Sequence, residues 1–402
     1  MKITLRKLIF WPHLIAGVIT GLVIAVMSIT GVVLAFEHQI LEWADEARRV
    51  QAPRPDAARL PLDQLVENAK KAKPDKELSG VTVHSDPALA VLVSTGRGNG
   101  VYVDPWSGEV REQGAPGLRA FFSTMVQWHR WLGASGEHRA IGKAITGASN
   151  AVFLCLALTG IYLWWPRAWT WAATRSTLWF RGGVRGKARD FNWHNVIGFW
   201  TLPVIVVLTV SGVVISYRWA SNLVFTLSGS EPPPARSGPP RPPTLPVEAP
   251  HPDATPLSLD ALFARASEAS GPRWESLTLG LGGGGSQKGP VAQSFTVREA
   301  DAWPPFASNQ VALHPFTGEV IRHERFSDGT PGRKARSWLR FLHTGEALGW
   351  PGQLVAAIAS LGGAVLVWTG FALAWRRFTS WRRTQNLAGG ASRDLPDGSG
   401  RG

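Results

Sequence analysis

The chain of 402 residues is 45 % hydrophobic and holds a single cysteine, Cys155, which excludes an internal disulfide framework and any thiolate-ligated cluster. Its formal charge of +13 does not imply a nucleic-acid partner, because the basic residues flank apolar runs as topology signals do. Hydropathy therefore sets the class as an integral membrane protein in a lipid bilayer before any domain count.

Lys2, Arg6 and Lys7 precede the first apolar run, Leu14 to Phe36. His13 stands at its mouth, with Gly17 and Gly31 further along. No small-x-small cleavage site follows Phe36, so residues 1–37 are expected to remain as a transmembrane helix rather than leave as a signal peptide. His38 ends the run. Residues 38–120 read as an outer α+β segment, with an amphipathic helix over 60–72 and a hairpin over 101–111 turned at a Pro-aromatic-x-Gly step. Residues 121–166 carry His129 in WHRWLG, then His138, then the second span, Ala144 to Trp165. Cys155 lies inside that span and reads as an apolar filler. Arg167, Arg175, Arg181, Arg185, Lys187 and Arg189 crowd the loop 167–191.

The third span, Val196 to Tyr217 within 192–218, restates the first, placing His194, Gly198 and Gly212 as His13, Gly17 and Gly31 are placed. Residues 219–335 hold a Pro-rich stretch over 231–256, read as a semi-rigid linker, a helix over 257–269 and a hairpin over 311–322. Gly282 to Gly285 read as a flexible loop and not a phosphate loop, since no Gly-Lys-Ser/Thr follows. Residues 336–377 carry His343 and the fourth span, Gln353 to Trp375. Arg376, Arg377, Arg382 and Arg383 open a cytoplasmic tail, 378–402, expected to lose order from about Leu387. The positive-inside pattern puts both termini and the middle loop in the cytoplasm and the long segments outside, in the periplasm of a Gram-negative cell. The expected fold is thus mainly α: a four-transmembrane-helix bundle with parallel internal duplication and two periplasmic α+β domains.

An imidazole at the mouth of a lipid-buried helix is costly, and two in register point to a shared partner. Paired imidazoles in a bundle suit haem iron, so His13 with His194 and His129 with His343 are expected to hold two haem b groups, one at each surface. His13 and His38 stand nearly ~40 Å apart along one helix and cannot share an iron. His38 and His138 are reserve candidates, as ligands or as partners of haem carboxylates. Arg130, Arg139 and Arg340 are candidate partners of the same carboxylates. Trp11, Phe36, Trp193, Phe199 and Trp200 are candidate walls, and Gly17 and Gly198 candidate clearances for a flat ring. His84, His251, His314 and His323 read as solvated. The bland reading of His13 and His194 is hydrogen bonding to lipid headgroups. Zinc and copper spacings are absent, as is a Gly-x-Ser-x-Gly nucleophile.

The segments RKLIFWPHLIAGVITG (6–21), WHRWLG (128–133), LTGIYLWWPR (158–167), FNWHNVIGFW (191–200), FLHTGEALGWPGQ (341–353) and TGFALAWRR (369–377) resemble the PepSY-associated transmembrane family over nearly the whole chain. The resemblance implies a bacterial inner-membrane di-haem b protein that reduces ferric-siderophores on the periplasmic side. It makes His13, His129, His194 and His343 the ligands, the outer segments PepSY-type modules, and a cytoplasmic or quinol electron donor necessary. Two rival readings stand beside it: a non-redox membrane-anchored sensor or inhibitor module, and a siderophore or peptide permease. A permease would be expected to show broken helices or midplane charges, whereas Pro203 alone interrupts the spans.

Overall fold

The computed structural model describes residues 4–54, 56–96, 98–166, 170–234, 245–281 and 289–391. Lys2, Arg167, the middle of the Pro-rich stretch, Gly282 to Gly285 and the tail beyond residue 391 lie outside the described residues.

The first half of the chain runs α1 (Leu5–Leu34), α2 (Glu37–Ala44), α3 (Leu62–Ala72), β1 (Gly80–His84), β2 (Val91–Gly96), β3 (Asn99–Val103), β4 (Val110–Glu112), α4 (Pro116–Trp131) and α5 (Arg139–Trp164). After α6 (Trp171–Leu178) the second half follows a similar order. It comprises α7 (Gly186–Ser216), α8 (Arg218–Leu227), α9 (Leu259–Ser270), β5 (Trp274–Gly280), β6 (Gln293–Glu299), β7 (Asn309–Leu313), β8 (Val320–Glu324), α10 (Pro331–Thr344) and α11 (Gly349–Ala391).

Among the described residues, α1, α5, α7 and α11 are long and apolar enough to cross a membrane. A helix pairs its backbone groups internally, as hydrocarbon demands, and α7 stays helical through Pro203 although that residue has no N–H to donate. α1 packs against α5 and α11, and α7 packs against the same two helices, so α1 and α7 face each other across the bundle. Small residues permit the approach: a Cβ on Gly21 would come within 2.8 Å of Phe371, and one on Gly362 within 2.6 Å of Thr201.

The two outer segments each form a four-stranded antiparallel meander with a helix; the sequence pattern marked the helix and the last hairpin of each, and the first two strands of each are additional. The structure then joins them edge to edge through β1 and β5, giving one eight-stranded sheet in the order β4-β3-β2-β1-β5-β6-β7-β8. Leu65 of α3 and Leu262 and Phe263 of α9 cover one face, packing with Val81, Val93, Leu277, Leu279 and Phe295 in a single core. The helices also cap each other. Leu62 N donates to Asp260 Oδ2 at 2.8 Å and Leu259 N to Asp63 Oδ2 at 2.9 Å, so each aspartate serves the helix of the other half. Strand alternation turns Thr296 and Arg298 of β6 to the opposite face, above the membrane helices.

Four local expectations change. α11 continues to Ala391, so the segment expected as a tail from residue 378 begins as helix. Cys155 is exposed on the outside of the bundle rather than filling its interior. The end of the Pro-rich stretch is seated on the sheet: Pro246 bridges Val291, and His314 Nε2 donates to the Glu248 carbonyl at 3.1 Å. His84, expected to be solvated, is half-buried at the end of β1, where burial and then Arg48 lower its pKa.

Candidate functional site

The helix order carries four of the histidines into the bundle and leaves the others outside it. His13 lies two turns into α1 and His194 two turns into α7, on helices that face each other at the end of the bundle away from the sheet. His129 and His343 stand near the ends of α4 and α10, which fold back onto the outer end of the bundle, α4 against α1 and α10 against α7. There the two rings come together with centroids 6.2 Å apart and planes inclined by 62°.

Each of the four rings is anchored through Nδ1 to a hydroxyl. His13 meets Thr159 at 2.9 Å and His194 meets Thr369 at 2.9 Å. His129 meets Thr30 at 2.9 Å and His343 meets Ser211 at 3.1 Å. These hydroxyls spend their own protons on the helix turn behind them. Thr159 donates to the Cys155 carbonyl at 2.7 Å, Thr369 to Val365 at 2.8 Å, Thr30 to Val26 at 2.7 Å and Ser211 to Val207 at 2.6 Å. They can only accept from the imidazoles, which puts the ring proton on Nδ1 and the lone pair on Nε2. The Leu208 carbonyl, 3.0 Å from His343 Nδ1, is also an acceptor and requires the same tautomer. In His314 the roles reverse: Nδ1 accepts from Phe316 N, so that ring ties a turn together and offers no such lone pair.

Burial keeps the outer pair neutral. The pKa of His129 is lowered to about 4, first by loss of solvent and then by the His343 ring beside it, and burial lowers that of His343 as well. Neutral imidazoles with a free Nε2 are ligands for a metal, and a hydrogen bond on the other nitrogen is the usual second support of such a ligand.

Three of the glycines that follow these hydroxyls lie against the imidazoles, whereas Gly212 lies against Asn150. A Cβ on Gly160 would meet His13 Cε1 at 3.6 Å, one on Gly370 His194 Cε1 at 3.8 Å, and one on Gly31 His129 Cε1 at 3.6 Å. A Cβ on Gly17, one turn from His13, would meet nothing within 4 Å. At the outer end a cavity of about 990 Å³ opens between the bundle and the sheet, lined by His129, His343, Arg130, Lys143, Arg298 and Arg340 among others. Such a volume is at the upper end of cofactor sites.

The donor set decides what fits. Among the described residues no group of three or more His, Cys, Asp or Glu is placed to hold a metal ion. Two opposed imidazoles alone suit an iron whose remaining donors come from a macrocycle, and two metal–nitrogen bonds of about 2 Å set ring centroids about 6 Å apart. His129 and His343, with centroids 6.2 Å apart, have the separation such a pair needs.

The other candidates fall elsewhere. His38 lines the cavity rim on α2 and lies 3.6 Å from Glu42, and His138 is exposed ahead of α5. Arg130 and Arg340 line the cavity, whereas Arg139 stacks 4.1 Å over Trp131 outside it. Trp11 and Trp200 are exposed and make no inner wall; Phe199 does face inward, stacked on Trp164 at 4.6 Å. The four hydroxyl partners were not singled out from the sequence. Their signal was present: Thr159-Gly160 matches Thr369-Gly370, and Thr30-Gly31 matches Ser211-Gly212, at equivalent places in the two halves.

The chain matches the family described as the PepSY-associated TM region over residues 10–377. No curated protein matches it.

Proposed function

We propose that this chain, which belongs to the PepSY-associated transmembrane family, is an inner-membrane di-haem b electron-transfer protein that reduces ferric-siderophores in the periplasm. The observation that carries this reading is the set of four imidazoles whose Nδ1 is tied to a Thr or Ser hydroxyl. An interfacial histidine serving lipid headgroups would turn its polar edge outward and would not need a hydroxyl behind it.

In this reading the two halves are a parallel duplication, the two halves of the sheet are PepSY-type modules, and both termini lie in the cytoplasm. His13 and His194 hold the inner group, and His129 and His343 the outer one. When bound, haem supplies reversible one-electron chemistry at each end, linking a cytoplasmic or quinol donor to a ferric chelate outside. The protein's own part is to orient the imidazoles, fix their tautomers and exclude water. From His13 to Thr30 along α1, and from His194 to Ser211 along α7, is seventeen residues in each case, or about 25 Å of helix. This brings the inner and outer sites within one membrane thickness of each other.

The substrate iron gains one electron and passes from Fe(III) to Fe(II), which loosens its hold on hard oxygen donors and frees it from the chelate. Arg298, carried by the sheet into the cavity wall, and Arg340 give the outer opening basic groups beside the histidines. The test is the optical spectrum of purified protein made with ample haem, followed by addition of a ferric-siderophore to the reduced form. A Soret band with sharp reduced α-bands that collapse on addition supports the proposal. Colourless protein removes it.

A further inference from the structure

Near the cytoplasmic end of α5, Trp164 is only 9 % exposed, its ring stacked on Phe199 with planes 23° apart. Its indole Nε1–H is a buried polar atom with no hydrogen-bond partner among the described residues. That is costly inside a helix bundle, where no bulk water reaches the donor. The neighbouring Trp165 turns outward, 54 % exposed, as interfacial tryptophans do. Trp164 therefore does something else.

Its position says what. Gly160, against which the His13 ring lies, is one turn earlier on the same face of α5. Two turns before His13 on α1, the Arg6 guanidinium reaches across and donates to the Leu163 carbonyl, beside Trp164. No ion pair joins Arg6 to a carboxylate among the described residues. The second half lacks the arrangement. Counting from Thr369 as from Thr159, Ala374 takes the place of Trp164. The arginines there, Arg189 and Arg376, are held by buried Asp190 at 2.8 and 3.1 Å. A buried donor without an acceptor and a cation without an anion thus meet beside His13, and in one half alone.

We propose that Trp164 and Arg6 form a carboxylate-binding corner for the inner prosthetic group. The indole N–H donates to one acidic oxygen of the macrocycle, and the guanidinium balances its charge. This rests on the reading that His13 and His194 hold a haem. Because the corner exists on one side only, it fixes the direction in which the acidic edge lies. A carboxylate neutralised in this way favours the ferric form less than a bare one does, so loss of the donor should lower the reduction potential of the inner centre.

The test is an optical potentiometric titration of the full chain, comparing wild type, Trp164→Phe, Arg6→Gln and, as control, Trp165→Phe. Each is loaded once with haem and once with its dimethyl ester, in which both carboxyls are blocked. The expected result is a lower midpoint for one of the two centres in Trp164→Phe and Arg6→Gln, unchanged in Trp165→Phe, with the difference abolished in the ester. Pigmented variants with wild-type midpoints, or a shift that survives esterification, overturn the corner while leaving the haem reading intact. Wild-type protein that takes up no haem overturns that reading and the corner with it.

Discussion

His13 Nδ1 lies 2.9 Å from Thr159 Oγ1, and because that hydroxyl donates its own proton to Cys155, the imidazole must donate and keep its Nε2 lone pair free. His194 and Thr369 repeat the relationship at the same distance on the facing side of the bundle. One hydroxyl–imidazole pair in a membrane helix is ordinary core satisfaction. Four that leave the same nitrogen free are the basis of the proposed ligand set.

Replacing Thr159 or Thr369 with the near-isosteric Val removes the acceptor and leaves the ring. The inner site should then bind haem about 10- to 100-fold more weakly, as for other losses of a second support to a metal-bound imidazole. Haem titration of apo-protein measures this. Unchanged affinity in both variants would mean that the hydroxyls merely satisfy the helices.

Asp63 caps α9 and Asp260 caps α3, so the caps cross between halves. Asp63→Ala should cost about 1 kcal/mol. It should speed amide exchange at Leu259 rather than at Leu62. Hydrogen exchange of the full chain in detergent reads both sites, and faster exchange at Leu62 alone would show that each aspartate caps its own helix.

His84 supplies a pH dependence. Burial and Arg48 lower its folded pKa below the ordinary 6.5, so the unfolded chain takes up the proton first. Its contribution to stability is intact above pH 6.5, declines as the pH falls, and stops declining below the folded pKa. Wild type minus His84→Gln, followed by thermal unfolding across that range, should show this acid-side loss. A difference that is flat with pH would mean that the ring titrates alike in both states.

The spans, the hairpins and the meeting of His129 with His343 were legible because each rests on a sequence pattern: apolar length, period-two alternation, or a spacing that recurs along the chain. The pairing of Gly80 with Gly280 was not. It joins strands about half the chain apart, and nothing local marks which edge of a meander is left free. The fate of individual arginines was equally hidden. Arg130 and Arg139 look alike in sequence and both stack on Trp131, yet only Arg130 lines the cavity. Trp164 and Trp165 are adjacent and alike in composition, and only packing separates the buried donor from the interfacial anchor.

Haem content per chain in wild type, His13→Ala and His343→Ala bears on the central claim without relying on any substrate. Paired imidazoles at the two ends of the bundle should give two haems in wild type and one in each variant, with the spectrum of the surviving centre retained. Wild type without haem, or a full complement in both variants, would contradict it.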